Sequence, residues 1–221
     1  MNDMLNIILG ILIGIFTNFL SWWILFHGIT PSLRYSQSIS KTSRQPTPND
    51  RTTWTYRVKL ENSGRRAIID LDILARLRLK GLEGYPKGLS EIVYIPLDSN
   101  GNISHKIPYV APVKKSRSRP IIIFFENCHD EFNNPNKYSE NIVNKATDKS
   151  LLLEDLLRLG DGTTLQIIAF GYDEFSGARK AFTSKQYTHR DVQRGSFDVH
   201  GLEVIPLTEA DVESSHSDKI G

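Results

Sequence analysis

Five groups of residues in this chain have types and spacings that can do chemistry. Cys128-His129-Asp130-Glu131 is a run of metal-ligand types. Adjacent side chains cannot all turn toward one ion, and no second cluster stands at metal-site spacing, so the run predicts no metal centre. His189, Asp191 and His200 fall close together and form a candidate polar site, for which a turn with exposed histidines is the simpler account. Asp70 and Asp72 lie two apart, the spacing of one face of a strand, and are expected on the solvent side rather than as an acid–base pair. Lys114, Lys115, Arg117 and Arg119 form a basic run without interleaved aromatic residues, which predicts a solvated loop. The last group is Gly10-x-x-x-Gly14 with Asn18 and Ser21, at helical spacing inside an apolar run. Small residues let two helices approach and an amide can hydrogen-bond between them, so this is a candidate helix–helix interface.

Phosphate and nucleophile motifs are missing from the chain: there is no Gly-rich phosphate loop, no His-Glu-x-x-His and no Gly-x-Ser-x-Gly. No cofactor and no catalytic residue is expected. The net charge of +2 is too mild to predict a nucleic-acid partner. The single cysteine excludes a disulfide framework within one chain.

The element that positions the glycine seam is the run Leu5 to Phe26, which holds no Lys, Arg, Asp or Glu. About 22 helical residues span roughly 33 Å, the thickness of a bilayer's hydrocarbon core. Trp22 and Trp23 stand near one end, where indole rings favour the headgroup layer. The run lacks the basic start and small-residue cleavage site of a signal peptide and reads as a retained anchor over 1–27. Basic residues follow it and none precede it, which predicts a cell-membrane protein with its N-terminus outside and its C-terminal domain in the cytoplasm. Residues 28–52, rich in Ser, Thr and Pro, read as a flexible linker whose Arg34, Lys41 and Arg44 are candidate contacts to lipid headgroups.

Beyond the linker the apolar period changes to two. Trp54, Tyr56, Val58 and Leu60 alternate with polar residues, as do Ile69, Leu71, Ile73, Ala75, Leu77 and Leu79. Shorter strands are expected at Glu91–Leu97 and Ile121–Phe125, a hairpin at Thr163–Tyr172 and Ala178–Tyr187, and a last pair within Ser196–Leu207. Asn127–Lys149 reads as a long loop. Leu151–Leu159 reads as one short helix capped by Ser150 and ended by Gly160. The expected fold over 53–208 is mainly β, an immunoglobulin-like β-sandwich of the E-set type with one short helix, and residues 209–221 form a disordered tail.

Several short motifs carry a resemblance. Tyr172-Asp173-Glu174-Phe175, then Tyr187, Asp191-Val192, Gly195 and Phe197, resemble the end of the cytoplasmic domain of inward-rectifier potassium channels. Tyr56-Arg57-Val58 with Asn62, the Asp70–Leu79 strand, His105-Lys106-Ile107 and Ala111-Pro112 are similar to earlier parts of that domain, in the same order from Trp54 to Phe197. The resemblance implies the immunoglobulin-like fold and a tendency to self-associate. It does not extend to conduction, which needs two membrane helices around a pore. Phe170-Gly171-Tyr172-Asp173 looks like a filter but lies inside the soluble domain. The expected function is a non-catalytic interaction, scaffold or sensor module, with a homo-oligomer or a membrane protein as partner and no ligand identified. The alternative is an auxiliary subunit of a channel or transporter that docks through its helix.

Overall fold

The computed structural model describes residues 2–25, 30–44, 53–82, 89–112, 118–160, 162–199 and 201–206. Helix α1 (Asn2–Trp23) comes first. It contains an 18-residue window, Asn6–Trp23, of mean hydropathy 1.6, long and apolar enough to cross a membrane, and no part of that window is buried inside the chain. The remainder is mainly β and forms two sheets over one hydrophobic core.

The first sheet is built on β3 (Thr53–Asn62). β1 (Leu33–Tyr35) and β2 (Ile39–Arg44) pair antiparallel with it, Tyr35 opposite Leu60 and Ser40 opposite Arg57. β7 (Arg119–Ile123) also joins β3, with Ile121 opposite Val58. β10 (Val192–Phe197) adds parallel to β2, and β11 (Val204–Pro206) closes that edge. Gly195 there has φ +154, and a Cβ would stand 2.1 Å from the Ile205 carbonyl oxygen, so the β10–β11 pairing needs glycine.

The second sheet is built on β4 (Ile68–Lys80). β6 (Ser104–Val110) pairs with the first half of β4 and β5 (Ser90–Ile95) with the second. β8 (Thr164–Asp173) pairs along most of β4, and β9 (Arg179–Thr183) follows as a hairpin with β8. The alternation of β4 sends Leu71, Ile73, Ala75, Leu77 and Leu79 fully into the core. Its start departs from strict alternation. Asp70 sits at φ +49 and the register with β8 slips between Ile69 and Asp72, a β-bulge. Ile68, not the expected Ile69, therefore becomes the buried residue at this end. Opposite the bulge a Cβ on Gly171 would lie 2.5 Å from the Ile68 side chain, so glycine makes room for it.

Between β7 and β8 a 3-10 segment (Phe125–Phe132), α2 (Glu140–Thr147) and α3 (Leu153–Leu157) cover one end of the sheets. This corrects the long loop expected over 127–149. Phe125, Cys128, His129 and Phe132 turn inward at helical spacing, and α2 buries Ile142 and Ala146. The expected helix at Leu151–Leu159 shortens to α3, which starts after Leu152 rather than Ser150. The Asp155 carboxylate accepts the Leu152 N–H at 3.0 Å.

The flexible linker expected over 28–52 is also corrected: strands begin at Leu33. Tyr35, Ser36, Ile39, Ser40 and Lys41 are all buried. A polar strand is tolerable inside a sheet when its side chains find partners. The Ser40 hydroxyl donates to the Gly195 carbonyl at 2.5 Å, and Lys41 finds a carboxylate. The expected tail over 209–221 lies outside the described residues.

Candidate functional site

The ten-residue β3 spans about 30 Å at 3.3 Å per residue, and the domain has two distinct ends. At the end marked by Thr53, a cavity of about 870 Å³ opens between β3, the 3-10 segment and the residues preceding α3. Trp54, Tyr56, Phe125, His129 and Leu151 line it, with Glu126, Asp148 and Lys149 adding charge. The alternation of β3 brings Trp54 and Tyr56 to the same face. The 3-10 segment supplies Phe125 and His129 one turn apart, their rings edge to face at 5.7 Å. Phe125 meets Tyr56 edge to face at 6.2 Å.

Behind this aromatic wall lies a charged brace. The Lys41 ammonium donates to Glu154 at 2.5 Å, and the Tyr56 hydroxyl donates to the other oxygen of the same carboxylate at 2.6 Å. The Lys41 side chain is 5 % exposed and that of Glu154 16 %. Lys41 also lies over the Trp54 ring, 4.3 Å from its centroid, and the Arg194 guanidinium stands 5.2 Å from the same ring. Burial, then the Glu154 charge and hydrogen bond, push the Tyr56 hydroxyl far above the ordinary phenol range. Tyr56 is thus a fixed donor, and the Leu153 N–H donates to its oxygen at 3.3 Å. One network joins β2, β3 and α3.

His129 is 5 % exposed. Its Nε2 lies 3.1 Å from the Leu151 carbonyl oxygen, so in the neutral ring Nε2–H donates and Nδ1 is left as an acceptor. Nδ1 is enclosed without a hydrogen-bond partner. Cys128 beside it is buried, and burial, then the Glu131 charge, push its thiol up to about 12. The geometry suits holding a ligand against aromatic rings. Both oxygens of Glu154 accept from fixed donors, the Lys41 ammonium and the Tyr56 hydroxyl.

The sequence candidates are scattered by the fold. Gly10, Gly14, Asn18 and Ser21 are all exposed on α1, and a Cβ at either glycine would meet nothing within 4 Å. Arg34 is exposed and pairs with Glu61 at 3.7 Å. Lys41 is corrected from a headgroup contact to a buried ion-pair partner, because Glu154 and Trp54 enclose its ammonium. Arg44 ends β2, and its side chain lies outside what the structure describes. Lys114, Lys115, Arg117 and His200 also fall outside the described residues. Asp191 accepts from Thr188 and Lys185, which makes it a brace for its own turn. Asp70 is exposed as expected, whereas Asp72 Oδ1 is enclosed without a hydrogen-bond partner. Among the described residues no three His, Cys, Asp or Glu side chains gather as metal ligands. Tyr56, Glu154 and His129 were missed as a site. The available signal was Lys41 two residues from Ile39, which puts a lysine on the face of an apolar strand residue and calls for a buried acidic partner.

Comparison of the chain with protein-family models gives no match, and comparison with curated proteins gives none either.

Proposed function

We propose that this chain is a single-pass, membrane-anchored β-sandwich of the immunoglobulin-like type that acts in the cytoplasm as a non-catalytic interaction or sensor module, recognising its target at the aromatic cleft. The observation that carries the reading is α1. Ile7, Leu12, Ile15, Phe16 and Phe19 are each 56–64 % exposed, along a helix that the two-sheet domain does not cover. So long a strip of exposed apolar side chains is costly in water and at home in lipid. The two-sheet architecture and the motif resemblance to the inward-rectifier cytoplasmic domain support the fold type. The basic residues after α1 support the orientation. Alkaline extraction of membranes followed by a C-terminal reporter active only in the cytoplasm tests it. The chain should remain in the pellet with an active reporter. Release into the supernatant refutes the anchor, and digestion of the domain by protease outside intact cells refutes the orientation.

A second reading, the auxiliary subunit, rests on the open face at Gly10 and Gly14 with Asn18 alongside. Close packing and an amide contact worth about 0.6–2 kcal/mol would pair this face with another helix. Gly14→Ile should abolish self-association in a membrane two-hybrid assay if the partner is a second copy. Equal association of wild type and Gly14→Ile leaves the face to a foreign helix and favours the subunit.

A further inference from the structure

The end of the domain opposite the cleft is tied to Leu25, two residues beyond α1. The Arg66 guanidinium donates to the carbonyl of Leu25. Only residues 26–29 separate Leu25 from Thr30, so Thr30 lies within about 18 Å of Leu25 by chain length alone. At once the chain meets the turn between β3 and β4: the N–H groups of Ser63 and Gly64 donate to the Ser32 carbonyl at 2.8 and 3.3 Å. The turn between β8 and β9 stands beside it, where the Glu174 N–H donates to the Ala67 carbonyl at 3.3 Å. Arg66 binds the two turns together. It pairs with Asp173 at 3.4 Å and lies 4.2 Å from the centroid of the Phe175 ring.

This end carries a surface that water alone does not explain. Phe175, at the tip of the β8–β9 turn, is 61 % exposed. Behind it one row crosses the outer face of the second sheet, because paired residues share a face: Tyr109 opposite Ile69, Ile69 opposite Tyr172, and Tyr172 opposite Arg179. Both tyrosines are exposed, as are Arg65 and Arg179. Aromatic rings with a polar edge and arginines on long apolar stems are the residues that settle at a membrane–water boundary. Pairing with Arg66 neutralises Asp173 and lowers the electrostatic cost of bringing this end to lipid.

We propose that the Phe175 turn lies in the headgroup layer of the bilayer that α1 crosses, with the Tyr109–Tyr172–Arg179 row alongside it, so that the domain is seated on the membrane by a second contact. The occupant is a bilayer surface, because the same end is held to Leu25, two residues beyond the apolar helix. The inference rests on the anchored reading of α1. It also moves the lipid contact away from Lys41, which is buried, and from Arg44, which stands opposite Thr53 at the cleft end.

The test uses the full chain in phosphatidylcholine vesicles with and without nitroxide-labelled phosphatidylcholine. Native Cys128 is buried and its thiol is pushed up to about 12, so a cysteine introduced at the surface takes the label alone. Phe175→Cys and Tyr109→Cys report on the proposed contact, and Ser150→Cys, exposed at the cleft end, is the control. A fluorophore at 175 should be quenched several-fold more strongly than one at 150, with 109 between them. Equal quenching at 175, 109 and 150 overturns the seating while leaving the anchor intact. Chain that leaves the vesicles at alkaline pH refutes the anchored reading, and the seating falls with it.

Discussion

The brace of Lys41, Glu154 and Tyr56 makes a quantitative prediction. At 2.5 Å and an effective dielectric constant of about 20, Lys41 and Glu154 attract by roughly 7 kcal/mol. Withdrawing two ions from water costs several kcal/mol each, so the intact pair is close to neutral against an apolar pair of similar volume. Breaking it from one side is different. Glu154→Ala strands a buried ammonium against the Trp54 and Tyr56 rings with its carboxylate gone, and should cost about 3–5 kcal/mol. Lys41→Met strands a carboxylate that keeps the Tyr56 hydroxyl, and should cost about 3 kcal/mol. Lys41→Met with Glu154→Leu removes both charges and should cost only about 1–3 kcal/mol, the loss left by the buried Tyr56 hydroxyl without its acceptor. Urea unfolding of the full chain in detergent, followed by near-ultraviolet circular dichroism, gives the four stabilities. A double variant that loses the sum of the two single losses refutes the coupling, and with it the claim that this pair joins β2 to α3.

Three further outcomes can be checked on the same preparation. Leu71 is fully buried, so Leu71→Ala should cost about 2–5 kcal/mol, whereas Asp72→Ala removes a carboxylate oxygen that has no hydrogen-bond partner and should cost less than about 0.5 kcal/mol; equal losses would refute the strand's facing. Asp173 is pushed up by burial, but hydrogen bonds from Phe175 and Ser176 and the Arg66 charge outweigh this and hold it below its ordinary 3.8. A carboxyl depressed in the folded state stabilises above the unfolded value and ceases to do so as pH falls through the folded one. The stability gap between wild type and Asp173→Asn should therefore be full near neutrality and close only below about pH 3.8, and a gap that is unchanged in acid contradicts the assignment. Cys128, with its thiol pushed up to about 12, should resist a thiol reagent at pH 8 in the folded chain and react once urea unfolds it; fast reaction without urea would show the 3-10 segment to be open.

The strands that were legible are those whose burial depends on their own residues. β3, β4 and β8 bury alternate apolar side chains, and period two exposes them in the sequence. β1 and β2 were illegible because their burial depends on partners far along the chain. Ser40 is satisfied by Gly195 and Lys41 by Glu154, and neither pairing leaves a local pattern. The 3-10 segment hides its period among Asn, His, Asp and Glu, with Phe125, Cys128 and Phe132 as its apolar signal. Pro108 similarly demotes the run that forms β6, which is tolerated because β6 pairs, among the described residues, on one side with β4. The cleft was missed for the same reason as β2: its walls come from 53–56, 125–129 and 148–152, and only the fold brings them together.

The two ends of the domain are held apart by the strands that were easiest to read. β3 and β8 run from the cleft to the Arg66–Phe175 end, with Thr53 and Thr164 at one limit and Asn62 and Asp173 at the other. Sheets of this length are stiff compared with a chain linker, and β1 and β2 occupy the stretch in which a flexible tether was expected. Seated as proposed, the domain would present its cleft about 30 Å from the bilayer in a fixed orientation. A target recognised there would then meet the module at a set height above the membrane, a constraint that a tethered domain on a flexible linker would not impose.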